Sequence, residues 1–229
     1  MMRVVAVVPM KLNNNRLPNK NIRPLSDGTP LCSLIFSTLL SVHELDEVYV
    51  YCSNDEIQKY IPRGINFLRR SALLDTDTTT MNEVLLAFAN DVPSDIYVLS
   101  HATAPFISCS SIRKGIQAVA ASGYDSAFAA RKVQEFLWQN EIPINYDVGR
   151  VPRTQDLPEM FAETCGLYVY RHDLITRQKR RIGLRPLIIE VDSLEGIDID
   201  EADDFILADA LYSYGKKQLT LRSKEEKNV

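Results

Sequence analysis

The sequence predicts an α/β fold: a mainly parallel sheet covered by helices on both faces. Three observations predict it. Short apolar runs alternate along the chain with segments of helical spacing. The runs are unbroken rather than alternating, which is the pattern of strands buried on both faces. The chain has 229 residues, 45% hydrophobic and 24% charged, enough for one large core of this kind.

The elements follow in order. Val4–Val8 is β-branched and unbroken, a buried strand. Leu31–Leu45 has helical spacing; Glu47–Ser53 is a second strand, Asp55–Tyr60 a short helix, and Asn66–Leu68 a third strand. Thr80–Asn90 is a helix, with Thr78 to Thr80 as candidate caps. Ile96–Ser100 is another buried strand. Ser110–Ser122 is a helix capped by Ser110. Ser126–Ala130, Leu167–Tyr170 and Leu187–Val191 are strand-like, and a last helix runs from about Glu201 to Tyr214 before a charged tail. The whole, 1–229, reads as one domain. Within it Val133–Glu163 breaks the alternation: it holds Trp138, three prolines and a turn signal around Asn145–Gly149, and reads as an irregular or hairpin-like excursion. A dimer contact and a plain surface lobe are both open for it.

Composition excludes several functions. A net charge of −4 argues against a general nucleic-acid binder, which needs a basic face. No apolar stretch has the length of a membrane span. Only Arg3 precedes the first apolar run and no small-residue cleavage signal follows it, so no signal peptide is read. The four cysteines, Cys32, Cys52, Cys109 and Cys165, form no Cys-x-x-Cys pair, and only His43, His101 and His172 are available, which disfavours zinc. Free thiols in a reducing cytoplasm are expected.

Three constellations carry chemistry. The first is Lys11 to Arg23, at the carboxyl end of the first strand, where sheets of this kind place their binding crevice. Lys11, Arg16 and Lys20 supply positive charge and Asn13 to Asn15 supply amides, the donors a polyanion needs, while Pro18 stiffens the loop. The loop has no glycine, so it is neither a Walker loop nor a dinucleotide fingerprint, and on composition alone a polar surface loop with caps is the favoured alternative to a polyanion site. The second is Ile197-Asp198-Ile199-Asp200. In extended backbone its carboxylates face one way, about 7 Å apart, as a hard cation such as Mg²⁺ requires. Glu201, Asp203 and Asp204 stand at a helix start, where acids serve the dipole. On the residues alone, metal and helix-start readings of the acidic run both stand. The third is the basic run 177–185, which could attract an acidic sugar or a neighbouring subunit but reads rather as a solvated turn between helix and strand. His43 and His172 read as surface or packing residues, whereas His101 sits where sites gather, at the end of a buried strand.

The stretch Pro9-x-Lys11-x-Asn13-x-x-x-Leu17-Pro18-x-Lys20-Asn21-Ile22-Arg23-Pro24-Leu25 resembles the signature loop of the acylneuraminate/Kdo-type cytidylyltransferases. Three further segments resemble that family in the same order: His101-Ala-Thr-Ala-Pro-Phe106, Arg153-Thr-Gln-Asp-Leu-Pro158 with Gly166-Leu-Tyr168, and Gly196-Ile-Asp-Ile-Asp200. The resemblance implies a Rossmann-like sheet of the nucleotide-diphospho-sugar transferase type with a small dimerisation excursion. It also implies an enzyme that transfers CMP from CTP to the anomeric hydroxyl of a 2-keto-3-deoxy sugar acid and releases pyrophosphate.

Carried over by position, the resemblance implies that Lys11, Arg16 and Lys20 act on the phosphates. Lys11, Asn13, Asn15, Lys20, Asn21 and Arg70 would bind nucleotide, with Arg69 as an alternative to Arg70. His101, Thr103 and Gln155 would meet the sugar, and Asp198 and Asp200 would hold Mg²⁺. CTP, a small acidic sugar and a second copy of the chain are the implied partners, with no nucleic acid and no membrane. The chain departs from the family pattern at Asn15, Arg16, His101 and Ile107. Transfer to a sugar or polyol phosphate, and nucleotide binding without turnover, are the alternatives that share these features. Lys20→Ala is expected to cut turnover by orders of magnitude and to leave the melting temperature nearly unchanged.

Overall fold

The structure is a computed structural model and describes residues 2–12, 16–121 and 123–225, with side chains described as far as Lys217. Its centre is β1 (Val4–Met10), buried at every residue. Val4, Ala6, Val8 and Met10 face one core layer and Val5 and Val7 the other, so an unbroken apolar run is what a central strand requires. On one side of β1 lie β2 (Glu47–Cys52) and then β3 (Asn66–Arg69), both parallel to it. On its other side lies β4 (Ile96–Ser100), also parallel. The chain then adds β5 (Ser126–Val133), β8 (Met160–Arg171) and β9 (Pro186–Val191), giving the order β3-β2-β1-β4-β8-β5-β9. Only β8 runs against its neighbours.

Helices cover both faces. α1 (Cys32–Leu40) and α3 (Cys109–Ala121) bury Ile35, Phe36, Leu39, Ile112, Ile116 and Val119 on one side. Gly115 lets α3 approach the sheet, since a Cβ there would stand 2.8 Å from Val169 Cγ2. On the other face α2 (Met81–Asp91) buries Val84, Leu85 and Phe88, with α4 (His172–Thr176) beside it. Phe88 meets the rings of Tyr49, Tyr51 and Tyr97 edge-on, with centroids 5.2–6.0 Å away. A third, smaller core joins Leu17, Leu25 and Leu31 to Ile199, Phe205 and Ala208. It packs the first loop against α5 (Ala202–Glu225) and the segment before it. Among the described residues no helix is long and apolar enough to cross a membrane.

The structure corrects several sequence expectations. The first helix ends at Leu40, not Leu45: Val42 and Leu45 keep the apolar spacing but reach the core from turns. The cap of α3 is Ser108, whose Oγ accepts from Ser111 N at 3.1 Å, and not Ser110, which lies inside the helix. Asp55–Tyr60 is a 3-10 helix. Leu167–Tyr170 is the end of a twelve-residue strand, and α5 runs beyond Tyr214. In the 133–163 stretch, β6 (Trp138–Gln139) and β7 (Ile142–Pro143) form a hairpin turned by Asn140 and Glu141, both at positive φ. That turn stands five residues before the expected one. The expected turn is also formed, with Gly149 N donating to Asp147 Oδ1.

Candidate active site

Strand order reverses between β1 and β4, because β2 and β3 lie to one side of β1 and β4 to the other. In parallel sheets a crevice opens at such a point, beyond the carboxyl ends of the strands. A cleft of about 220 Å³ stands there. Lys11, Lys20 and Asn21 from the loop after β1, Arg70 after β3, and His101 and Thr103 after β4 line it, with Met81 and Val84 of α2.

The first loop is held by its own side chains. Asn19 takes a left-handed conformation, φ +56°, that asparagine tolerates, and starts a 3-10 turn over Lys20–Ile22. Asn21 is buried and donates from Nδ2 to the Lys11 carbonyl at 3.0 Å, closing the loop on itself. Lys20 is also buried; its Nζ donates to Ile199 O at 2.6 Å and lies 3.1 Å from Asp200 Oδ1. Arg16, exposed, reaches the same oxygen at 2.8 Å. Residues some 180 positions apart are thus joined, because Leu17 and Ile199 share the third core and Ile199 N donates to Thr103 O. Lys11 pairs loosely with Asp77, 3.7 Å away.

Of the two candidate arginines, Arg70 lines the cleft; Arg69 is exposed and pairs with Asp55. The Arg70 side chain is 4% exposed and is held by Asp75 Oδ1 at 2.6 Å and 3.2 Å, while the other Asp75 oxygen accepts from Ser53. Burial, with the charges of Arg181 and Lys20, pushes the His101 imidazole down to about 4, so it stands neutral at pH 7.

Asp198, hydrogen-bonded to the Thr103 side chain, lines a separate cavity of about 270 Å³ with Arg131, Glu163 and Cys165. Its Oδ1 is buried without a partner among the described residues, and burial, with the nearby Asp200, raises its carboxyl above the ordinary range. A buried carboxylate oxygen with no donor is suited to a cation, and Asp200 stands two residues on. Asp204 serves α5 instead, accepting from Asp200 N and Glu201 N at 2.9 and 2.8 Å, which is the helix-start role read for it. Among the described residues no three His, Cys, Asp or Glu groups converge.

The structure therefore brings Lys11, Lys20, Asn21, Arg70, His101 and Thr103 into one cleft; Asp200 and Arg16 are joined to it through Lys20, and Asp198 lines the separate cavity. Gln155 stands apart, exposed in a 3-10 turn of the excursion. Asn13 and Asn15 lie outside the described residues. Sequence reasoning did not single out Arg181 within the basic run. The run 177–185 is a turn between α4 and β9, and Arg181 is half-buried in it, its guanidinium over the Tyr168 ring, 4.3 Å from the centroid. The one local sign was Ile182, an apolar residue inside the basic run, which packs against the α2-side core.

The family model described as Cytidylyltransferase matches residues 5–225. The chain is 25% identical over 185 residues to an N-acylneuraminate cytidylyltransferase of Oncorhynchus mykiss, covering 76% of this chain and 42% of that one. It is 23% identical over 216 residues to the same-named protein of Streptococcus agalactiae serotype V, covering 90% and 52%. The chain thus spans about half the length of these relatives. A CMP-N,N'-diacetyllegionaminic acid synthase of Legionella pneumophila is 25% identical over 235 residues, covering 95% of this chain and all of its own. Among solved structures, a CMP:2-keto-3-deoxy-manno-octonic acid synthetase complexed with CTP superposes with a TM-score of 0.72 at 16% identity, covering 93% of this chain and 99% of that one. A 4-diphosphocytidyl-2C-methyl-D-erythritol synthase of Anaerococcus prevotii gives 0.67 at 15%, covering 93% and 96%. At such identities these likenesses speak for the fold.

Proposed function

This chain belongs to the cytidylyltransferase family, and on that premise we propose that it transfers CMP from CTP to the anomeric hydroxyl of a 2-keto-3-deoxy sugar acid of the nonulosonic type. The observation that carries this reading is the convergence of Arg16 and Lys20 on Asp200 at the mouth of a cleft lined by Lys11, Asn21 and Arg70. Cations of the first loop meet the carboxylates of the last one where strand order reverses, and the names of the relatives agree with it.

In the reaction the anomeric oxygen forms a bond to the α-phosphorus, the bond from that phosphorus to the bridging oxygen breaks, and pyrophosphate leaves with the electron pair. The hydroxyl proton passes to solvent. No protein nucleophile is required, so catalysis rests on positioning and on neutralising phosphate charge. Lys11, Arg16 and Lys20 hold the phosphates. Arg70, fixed by Asp75, and Asn21 hold the nucleoside end. His101 and Thr103 face the sugar. Asp198 and Asp200 would hold Mg²⁺, which when bound neutralises phosphate oxygens. The chain works as one catalytic unit in the cytoplasm and pairs with a second copy through the 133–163 excursion, where Trp138 and Ile142 are 56% and 65% exposed.

The test is pyrophosphate release with CTP and Mg²⁺ across N-acetylneuraminic, N,N'-diacetyllegionaminic and 2-keto-3-deoxy-octonic acids. UTP, ATP and GTP, and a polyol phosphate acceptor, are the controls. Release with CTP and one acid is the expected result. Silence with every acid would overturn the reading, and release with the polyol phosphate would replace it.

A further inference from the structure

The transfer takes a proton from the acceptor's hydroxyl, and the cleft offers one side chain to receive it. Among the described residues that line it there is no aspartate, glutamate, cysteine or tyrosine. The side chains are cations, an amide, hydroxyls, apolar groups and one imidazole, that of His101. Of these only a neutral imidazole takes up a proton near neutral pH. The carboxylates nearby are engaged otherwise: Asp200 Oδ1 carries Arg16 and Lys20, and Asp198 lines the neighbouring cavity. A cation held by the pair would lower the basicity of both.

His101 directly follows β4, at the carboxyl end of the central strands. It is half-buried and stands two residues before Thr103, whose side chain hydrogen-bonds to Asp198. Neither ring nitrogen is hydrogen-bonded to protein among the described residues, and neither is sealed from solvent. A histidine that served packing alone would have used at least one of them. Burial, with the charges of Arg181 and Lys20, keeps the ring unprotonated in the free protein. Lys11 and Arg70 add positive charge to the same cleft, while Met81 and Val84 of α2 add none. A bound triphosphate reverses this balance, because it brings several negative charges and engages Lys20. The imidazole then becomes a stronger base, closer to the pH at which a general base works best.

We propose that His101 is the general base of the transfer, taking the proton of the anomeric hydroxyl as that oxygen bonds to the α-phosphorus and handing it on to solvent. This rests on the reading of the reaction given above. The O–H bond breaks and its electron pair stays on the attacking oxygen, which forms the new bond to phosphorus. Pyrophosphate leaves with the pair of the bond that breaks. The imidazole becomes imidazolium and returns its proton to water, so no further reactant enters.

The experiment measures pyrophosphate release at saturating CTP and Mg²⁺ with whichever of the three acids named above turns over, across a pH series. Wild type is compared with His101→Gln, which keeps hydrogen-bonding groups but cannot take the proton. Wild-type kcat should show an acid limb that lies above about 4, the value of the free imidazole, and a plateau beyond it. His101→Gln should lower kcat at pH 7 by about 10²–10⁴, with the KM of CTP nearly unchanged. Its rate should climb with pH where wild type is flat, because hydroxide must then take the proton. In His101→Gly, added imidazole should restore part of the turnover. A residue that only touched the acceptor would raise the acceptor KM and leave kcat and its pH profile as in wild type. That result, or a kcat of His101→Gln within about tenfold of wild type, would overturn the assignment. If neither variant folds, wild type decides alone: a kcat flat from about pH 8 to about pH 5 would overturn it too. Wild type inactive with every acid would remove the reading of the reaction itself, an outcome seen before any variant is made.

Discussion

Lys20→Ala removes two bonds at once. Lys20 Nζ donates to the Ile199 carbonyl at 2.6 Å and to Asp200 Oδ1 at 3.1 Å. Ile199 is fully buried, so its carbonyl is left without a donor, at a cost of about 1–3 kcal/mol. Asp200 is half-exposed and keeps Arg16, so its share is small. For a chain of this size each kcal/mol lowers the melting temperature by about 2–4 °C, giving a drop of about 2–12 °C. The bonds of Lys20 thus predict a lower melting temperature where the sequence alone predicted none, because the residue ties the first loop to the Ile199–Asp200 segment. Loss of a fixed cation at the transferring phosphoryl group should lower turnover by about 10²–10³. Thermal melts and pyrophosphate release at saturating CTP measure the two effects separately. A melting temperature equal to wild type would refute the buried bond. Turnover within about tenfold of wild type would refute the phosphate role.

Asp198→Asn should melt at the same temperature as wild type or higher, because burial and Asp200 already disfavour the charge there. Its turnover at any Mg²⁺ concentration should fall by about 10²–10³; a clear loss of stability would count against a buried Oδ1 without a partner. Gly166→Ala would place a Cβ 2.9 Å from Ala104 Cβ. It should cost about 1–3 kcal/mol by melting and displace the loop bearing His101 and Thr103, raising the acceptor KM more than that of CTP. Thr80→Ala breaks the reciprocal cap of α2 and should cost about 1 kcal/mol. The Thr80 backbone N–H and hydroxyl hold the Glu83 carboxyl below its usual range. A carboxylate with a lowered folded pKa stabilises above the unfolded pKa and loses that effect as pH falls through the folded one. The stability gap between wild type and Glu83→Gln should therefore close on acidification, as melts across a pH series would measure.

How much of this was legible depends on whether the cause was local. β1 was legible because a central parallel strand must be apolar on both faces, and Val4–Val8 is. The first loop was legible as a cluster of cations and amides at a strand end. That it meets Asp200 was not, because the link is a tertiary core of Leu17, Ile199 and Phe205. Asp198 and Asp200 were legible as a pair, but the residues alone left metal and helix start open; the structure separates Asp198, whose Oδ1 is buried without a partner among the described residues, from Asp204, which caps α5. Leu45 misled because burial was read as helical when a turn delivers it. Arg181 was lost in a basic run because what makes it special, the Tyr168 face and Asn82, comes from β8 and α2.

Asp200 is where cations and carboxylates of the site compensate one another, and that has a thermodynamic consequence. Both Arg16 and Lys20 lie on its Oδ1. A triphosphate carries several charges against the single charge of Asp200, so it should draw the two cations away. Asp200 would then be left beside Asp198 with no counter-charge, which favours a divalent cation. Binding of nucleotide and of Mg²⁺ should therefore be mutually favourable, with a coupling of about 5–150-fold that is the same in either direction. Asp200→Asn separates the terms. It frees Arg16 and Lys20 in advance, so in the presence of EDTA the variant should bind CTP more tightly than wild type. It also removes the carboxylate that gains from the cation, so in excess Mg²⁺ the order should reverse. Calorimetric titrations of CTP under the two conditions measure the crossing. Weaker binding by Asp200→Asn in EDTA would mean that Asp200 does not compete with the triphosphate for its cations, and the electrostatic account of the cleft would fail at its centre.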